Sequence, residues 1–208
     1  MDFKFFLTKI QFLSTKKLGG LEAQFKLAPA MRQGYSTEKI KAYNPKKAAV
    51  LALFYPNKKT ETTLLLTQRA SYNGIHSAQI SFPGGKTDIL DKDLQTTALR
   101  ETFEEVGVPA NNIQIFKKMT EVYIPPSNFL VTPFIAYCIE HPHFKINHEV
   151  KKLIEVPLKE LLDKNNITQI NISTSYAKNI NVPCFKFKNE TVWGATAMML
   201  SEIKEFLK

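Results

Sequence analysis

Apolar residues along the chain gather into short runs divided by turn-forming residues. Ala48 to Phe54 and Thr62 to Gln68 are two such runs, parted by Pro56-Asn57-Lys58-Lys59, and they predict a pair of β-strands. Further strands are predicted near 113–123 and 129–139, with Pro125-Pro126-Ser127-Asn128 turning between them. Others fall at Glu149 to Val156, 167–172 and 182–188, while Ser77 to Phe82 leads into Pro83-Gly84-Gly85. Helices are predicted after those glycines, at Leu158 to Leu162, and from about Ala195 to Phe206. The N-terminal MDFKFFLTKIQFLSTKK has an amphipathic pattern, expected to dock on the body or on a second subunit. Gly19-Gly20 breaks it, and residues 21–45 are expected to form a connecting extension ending at Asn44-Pro45. There is no strict βαβ rhythm, so periodicity alone gives an α/β or α+β domain.

One predicted helix carries chemistry. In GGKTDILDKDLQTTALRETFEEVGV, residues 84–108, Glu101, Glu104 and Glu105 fall within an arc of roughly 100° of a helix. Leu99, Thr102, Phe103 and Val106 are expected to lie opposite, against a core. Like charges at these spacings each cost an isolated helix about 0.2–0.5 kcal/mol, so something positive is expected among them. A hard dication with oxygen ligands answers that need. Asp91 or Asp93 can cap the N-terminus, Gly107 provides a left-handed stop, and Arg100 stands one turn before Glu104, where it can orient that carboxylate.

Composition narrows the picture. The 208 residues, 44% hydrophobic and 23% charged, suit one soluble domain with a sizeable core. A net charge of +9 suits an anionic partner, yet the lysines are scattered or paired, which argues against a nucleic-acid-binding arm. Lysines inside the N-terminal apolar run exclude a signal peptide or membrane span there. The two cysteines, Cys138 and Cys184, have no metal or disulfide spacing; packed reduced thiols suit a cytoplasmic protein.

The glycine pair followed by R-E-x-x-E-E-x-G resembles the Nudix box, G-x5-E-x7-R-E-U-x-E-E-x-G-U, where U is bulky and apolar. Here Asp91 takes the first acid position, eight residues instead of seven precede Arg100, and Thr102 takes the first U position. The longer form resembles the coenzyme A pyrophosphatase branch. So does Leu65 to Gly85, which agrees with that branch's second signature at Leu65, Leu66, Thr67, Arg69, Ala70 and Phe82-Pro83-Gly84-Gly85. Gly74 stands where that signature has Arg, and Ala78 where it has Gly. The likeness covers about Pro45 to Leu207, which divides the chain into an N-terminal helical extension, 1–44, and a Nudix domain, 45–208.

The resemblance implies an α/β/α sandwich with a mixed sheet, and hydrolysis of a pyrophosphate linkage with Mg2+ or Mn2+. Glu101 and Glu105, one turn apart, are the first candidates for metal ligands, with Glu104 third, and by analogy the carbonyl of Gly84. For the general base, Glu149 matches a position where other Nudix enzymes place an acid; Glu101 or a metal-bound hydroxide are alternatives, and Glu104 and Arg100 complete the catalytic candidates. Arg69, His76 and Lys86 are candidates for phosphate contact, each with an ordinary structural reading: an ion pair, a hydrogen-bonded histidine, a solvated lysine. Trp193, Gly194, Met198 and Met199 are expected to pack at the last helix. The implied substrate is coenzyme A or an acyl derivative, cut to (acyl-)4'-phosphopantetheine and 3',5'-ADP. Alternatives are ADP-ribose, dinucleotides or nucleoside triphosphates, or a regulatory module that binds a nucleotide without turnover. The expected partner is a small nucleotide-type molecule, with no nucleic acid and no membrane; a homodimer is plausible from the family.

Overall fold

A computed structural model describes residues 1–32, 34–70, 79–174 and 177–208. The chain begins with α1 (Phe3–Thr15), capped by the Asp2 side chain, which accepts from the backbone N–H groups of Lys4 and Phe5. Then follow α2 (Gly20–Phe25), a 3-10 turn at Ala30–Arg32 and α3 (Thr37–Ala42). Residues 21–45 are thus more ordered than the connecting extension expected of them: α3 starts at a Ser36 cap, and α2 is tied to the C-terminal helix.

The sheet begins with β1 (Lys46–Pro56), β2 (Thr62–Arg69), β3 (Ile80–Ser81) and β4 (Gly84–Lys86). The acidic helix, α4 (Leu94–Val106), follows, then β5 (Gln114–Lys118), β6 (Val122–Ile124), β7 (Phe129–Tyr137) and β8 (Val150–Pro157). After α5 (Leu158–Leu162) come β9 (Ile167–Thr174), β10 (Ala177–Phe187), β11 (Glu190–Trp193) and α6 (Gly194–Leu207). The main sheet runs β3-β2-β1-β7-β5, with β4 on β1, β6 on β7 and β8 on β2; a separate antiparallel sheet runs β11-β10-β9. The central β1–β7 pair is parallel and its other neighbours antiparallel, so the main sheet is mixed.

β1 is buried on both faces, which is why it reads as a continuous apolar run. Ala49, Leu51, Leu53 and Tyr55 pack with Ala98 and Val106 of α4 on one side. Ala52 and Phe54 join the larger core on the other, with Phe3 and Phe6 of α1, Leu158 and Leu161 of α5 and Leu200, Ile203 and Phe206 of α6. The sheet therefore lies between α4 on one face and α1, α5 and α6 on the other, and α1 docks on the body of its own chain.

Four expectations are corrected. Residues 113–123 form two strands, because β5 slips register against β7 and Thr120 turns its hydroxyl to the buried Glu202 on α6 at 2.6 Å. Glu202 also accepts from Gly20 N–H and from the Gln24 amide, at 3.0 and 2.9 Å, so one carboxylate ties three segments together. The strand expected at 182–188 starts at Ala177, and β11 accompanies it, pairing Trp193 with Cys184. Trp193 therefore ends a strand, while Met198 and Met199 are buried on α6 as expected. The glycine turn is itself a strand: β4 pairs with β1, Gly84 opposite Val50. Cys138 and Cys184 are free and buried, and burial pushes the Cys138 thiol up to about 12.

Candidate active site

Helix α4 buries Thr97, Ala98, Thr102, Glu105 and Val106. The buried stripe is centred nearer Ala98 and Thr102 than expected, which leaves Phe103 55% exposed in solvent. The acidic arc consequently runs from outside to inside. The Glu104 side chain is 51% exposed, Glu101 17% and Glu105 4%.

The inner two carboxylates meet the glycine turn. Gly84 donates its N–H to Glu105 Oε2 at 3.2 Å, and its φ of +150° favours glycine. A Cβ at Gly84 would lie 2.4 Å from the Ala49 carbonyl oxygen, and one at Gly85 would lie 2.5 Å from the Glu101 carboxyl. Both glycines are thus required by close approach.

Two arginines hold the acids. Arg100 donates to both oxygens of Asp91 at 3.0 Å, to Glu101 at 3.0 Å, to Glu104 at 3.1 Å and to the Lys86 carbonyl at 3.1 Å. Asp91 is a bracket within the loop, also accepting from Asp88 N–H and Thr97 Oγ1; the Arg100 guanidinium holds its carboxyl well below the usual range. Asp93 caps α4 through Thr96 N–H. Arg69, at the end of β2, reaches Glu105 Oε1 at 3.4 Å and Glu149 Oε2 at 3.3 Å.

Glu149 comes from far along the chain, and the backbone explains its position. Its loop is stitched to the last turn of α4 by Lys145 N–H to the Val106 carbonyl and Asn147 N–H to the Glu105 carbonyl. Gly107, with φ +75°, ends α4 and leaves the space that Lys145 fills. Asn147 then accepts the Glu149 N–H on its side chain, and the Glu149 carbonyl accepts from Ala70 N–H.

Burial pushes the Glu105 carboxyl up to about 7; Arg69 and the Gly84 N–H oppose this, while Glu101 and Glu149 reinforce it. Burial also raises Glu101, against the pull of Arg100. Among the described residues no group of three or more His, Cys, Asp or Glu side chains converges as an ion cage. The arginines account for this, since Arg100 holds Glu101 and Glu104 while Arg69 holds Glu105 and Glu149. The donor chemistry nonetheless fits a hard dication: the groups are all oxygens, and burial disfavours the ionised form of two of them, Glu101 and Glu105, more than their arginines offset.

Beside the glycine turn opens a cavity of about 310 Å3, whose wall includes Gly84, Gly85, Arg69, Lys86, Arg32 and Trp193. Lys86 is exposed at its rim. Of the residues named from sequence, His76 lies outside the described residues, as do Gly74 and Ala78. Arg32 and the cavity-facing position of Trp193 were missed; a lone arginine in an apparent linker and a tryptophan beside a helix carry no spacing signal.

The NUDIX domain profile matches residues 45–174. The chain is 34% identical over 146 residues to the uncharacterized Nudix hydrolase NudL of Yersinia pestis (strain Pestoides F), covering 70% of this chain and 72% of that one. The same figures hold for NudL of Yersinia pseudotuberculosis (serotype O:1b, strain IP 31758). Among solved structures, a MutT/nudix family protein from Enterococcus faecalis aligns with a TM-score of 0.52 at 16% identity, over 85% of this chain and 71% of that one. The NUDIX domain of Shewanella oneidensis NrtR, complexed with ADP ribose, aligns with a TM-score of 0.51 at 16% identity, over 84% and 95%. These two likenesses show the fold. The sequence matches define a hydrolase of phosphorus anhydrides. The chain belongs to the Nudix family, whose hydrolases generally use divalent metals, typically Mg2+ or Mn2+, and act on small nucleotide-type substrates. Among the described residues no helix is long and apolar enough to cross a membrane.

Proposed function

We propose that this chain hydrolyses the pyrophosphate linkage of coenzyme A or an acyl-coenzyme A, releasing (acyl-)4'-phosphopantetheine and 3',5'-ADP. The observation that carries the hydrolytic part is the seating of Glu101 and Glu105 against Gly84 and Gly85, beside a cavity bearing Arg69 and Lys86. The choice of coenzyme A rests on the likeness of Leu65 to Gly85 to that branch's second signature. Residues 45–208 form the hydrolase unit in this reading. Residues 1–44 form a helical extension that contributes Phe3, Phe6, Leu13, Leu27 and Ala28 to the shared core.

Glu101, Glu105 and Glu104, with the Gly84 carbonyl, would hold Mg2+ or Mn2+, which supplies charge neutralisation and acidification of water when bound. Arg69 and Lys86 contact phosphate oxygens, offsetting the charge that otherwise repels an attacking oxygen. Arg100 fixes Glu101 and Glu104 in place. Glu149, half exposed and hydrogen-bonded to Arg69, takes the proton of the attacking water. That water's oxygen forms the new bond to one phosphorus as the bridging oxygen departs with the other phosphate.

The test is hydrolysis of coenzyme A, dephospho-coenzyme A and ADP-ribose with and without Mg2+, products resolved by 31P NMR. Coenzyme A should be cut fastest, only with metal, and Glu105→Gln should reduce kcat by orders of magnitude with the fold intact. Preference for ADP-ribose, or near-normal turnover by Glu105→Gln, would reject the substrate or the ligand assignment respectively.

A further inference from the structure

The cavity beside the glycine turn has cations on its wall at Arg32, Arg69 and Lys86, and no acidic side chain lines it among the described residues. Arg69 and Lys86 flank the turn where a diphosphate would lie. Arg32 comes from elsewhere: the 3-10 turn Ala30–Arg32, upstream of the matched domain, which starts at residue 45. Its Nη1 donates to the Tyr123 carbonyl at 2.5 Å, which anchors one nitrogen of the guanidinium at this wall.

Arg32 also lines a second cavity of about 310 Å3, walled by Tyr35, Pro125, Pro126, Ile180, Val182 and Trp193. Trp193 is common to both cavities and lies beyond residue 174, where the matched domain ends. β11, anchored on β10 through the Cys184–Trp193 pair, carries it there, and the indole is partly exposed. Segments before and after the family domain therefore meet at one wall, and they bring a planar cation and a large aromatic face.

A diphosphate at the glycine turn is already served by Arg69 and Lys86, so a third cation away from that turn is surplus to it. An arginine fork beside an indole suits a flat, anion-bearing group: the guanidinium matches a phosphate bidentately, and the ring stacks on a base. We propose that Arg32 and Trp193 form a specificity subsite for a nucleotide carrying a phosphate beyond the scissile diphosphate. Trp193 covers the base and Arg32 binds the additional phosphate. This rests on the hydrolase reading above and deepens it, since it assigns the recognition of 3',5'-ADP to residues outside the matched domain.

The test measures binding instead of turnover, so it stands apart from the hydrolytic reading. Calorimetric titration with 3',5'-ADP and with 5'-AMP compares ligands that differ by one phosphate. The wild-type chain should bind 3',5'-ADP at least tenfold more tightly. Arg32→Gln should bring that ratio to within about threefold of unity, and Arg32→Lys should restore part of it; thermal unfolding of both variants checks the fold. Trp193→Ala should weaken both ligands by similar factors and leave the ratio standing. Equal affinity of the wild-type chain for the two ligands, or an unchanged ratio in folded Arg32→Gln, overturns the subsite. A preserved ratio with no coenzyme A hydrolysis rejects the hydrolytic reading alone.

Discussion

Gly85 and Glu101 are packed so closely that a single added carbon would displace the carboxylate: a Cβ on Gly85 would lie 2.5 Å from the Glu101 carboxyl. The glycines side by side in sequence therefore fail differently. The obstacle at Gly85 is the end of a flexible side chain, which can swing away. At Gly84 it is backbone, with Ala49 O at 2.4 Å and Val50 Cα at 2.6 Å, and φ is +150°. Gly85→Ala should keep its melting temperature within a few degrees while losing at least tenfold in kcat. Gly84→Ala should destabilise by about 2 kcal/mol or more. Thermal melts paired with initial rates check this, and equal stability of the two variants would contradict it.

Glu105 makes the metal-free protein sensitive to pH. Its carboxyl lies at about 7 in the folded chain against an ordinary 4.5, so the folded state binds its proton more tightly than the unfolded state does. Its contribution to stability is therefore complete below about pH 4.5 and is lost as pH rises through 7. At about 1.4 kcal/mol per unit, the loss is on the order of 3 kcal/mol. A dication favours the ionised form, so Mg2+ should flatten the decline. Urea unfolding between pH 5 and 8, in EDTA and in Mg2+, measures both; stability that climbs with pH in EDTA goes against the assignment.

Asp91 acts in the opposite direction. Its carboxyl is held below the usual range by Arg100, so the stability it contributes is present above its ordinary 3.8 and is lost as pH falls below that. Asp91→Asn should cost about 2 kcal/mol: breaking a buried pair costs roughly 3–5, reduced because Arg100 is 27% exposed. The variant should start from a lower stability at pH 7 and lose less of it below pH 3.8, because the Asp91 titration is gone. A variant as stable as wild type at pH 7 would show that the bracket is dispensable.

Much of the site was legible because its logic is local. Glu101, Glu104, Glu105 and Arg100 lie within six consecutive residues, and helix geometry fixes their neighbourhood; the Asp93 cap and the Gly107 stop read out directly. What stayed hidden depends on contacts distant in the chain. That Glu105 faces inward beside Thr102 follows from where β1 presents Ala49 and Leu51, which the periodicity of α4 alone does not reveal. Phe103 was expected inside for its apolarity, but the buried stripe is centred elsewhere, since Thr102 satisfies its hydroxyl on the Ala98 carbonyl at 2.6 Å. Glu202, fully buried among Gly20, Gln24 and Thr120, has no sequence signal, because its partners come from two segments far from it in the chain.

Glu149 is the remaining acid whose role can be isolated by rate. Its loop is pinned to the last turn of α4 through Asn147 and Lys145, so its carboxylate has a defined seat beside Arg69. Half its side chain is exposed, and its removal disturbs no core packing. Glu149→Gln keeps the hydrogen bond that Arg69 donates but cannot accept a proton. If Glu149 is the general base, kcat should fall roughly 10²–10⁴-fold with KM changed little, and the acidic limb of the pH–rate profile should disappear. Asn147→Ala, which frees the Glu149 backbone, should produce a smaller loss and leave that limb in place. A loss below about fivefold in Glu149→Gln, with the limb intact, would transfer proton removal to Glu101 or Glu104, and the same profile on Glu104→Gln would then decide between them.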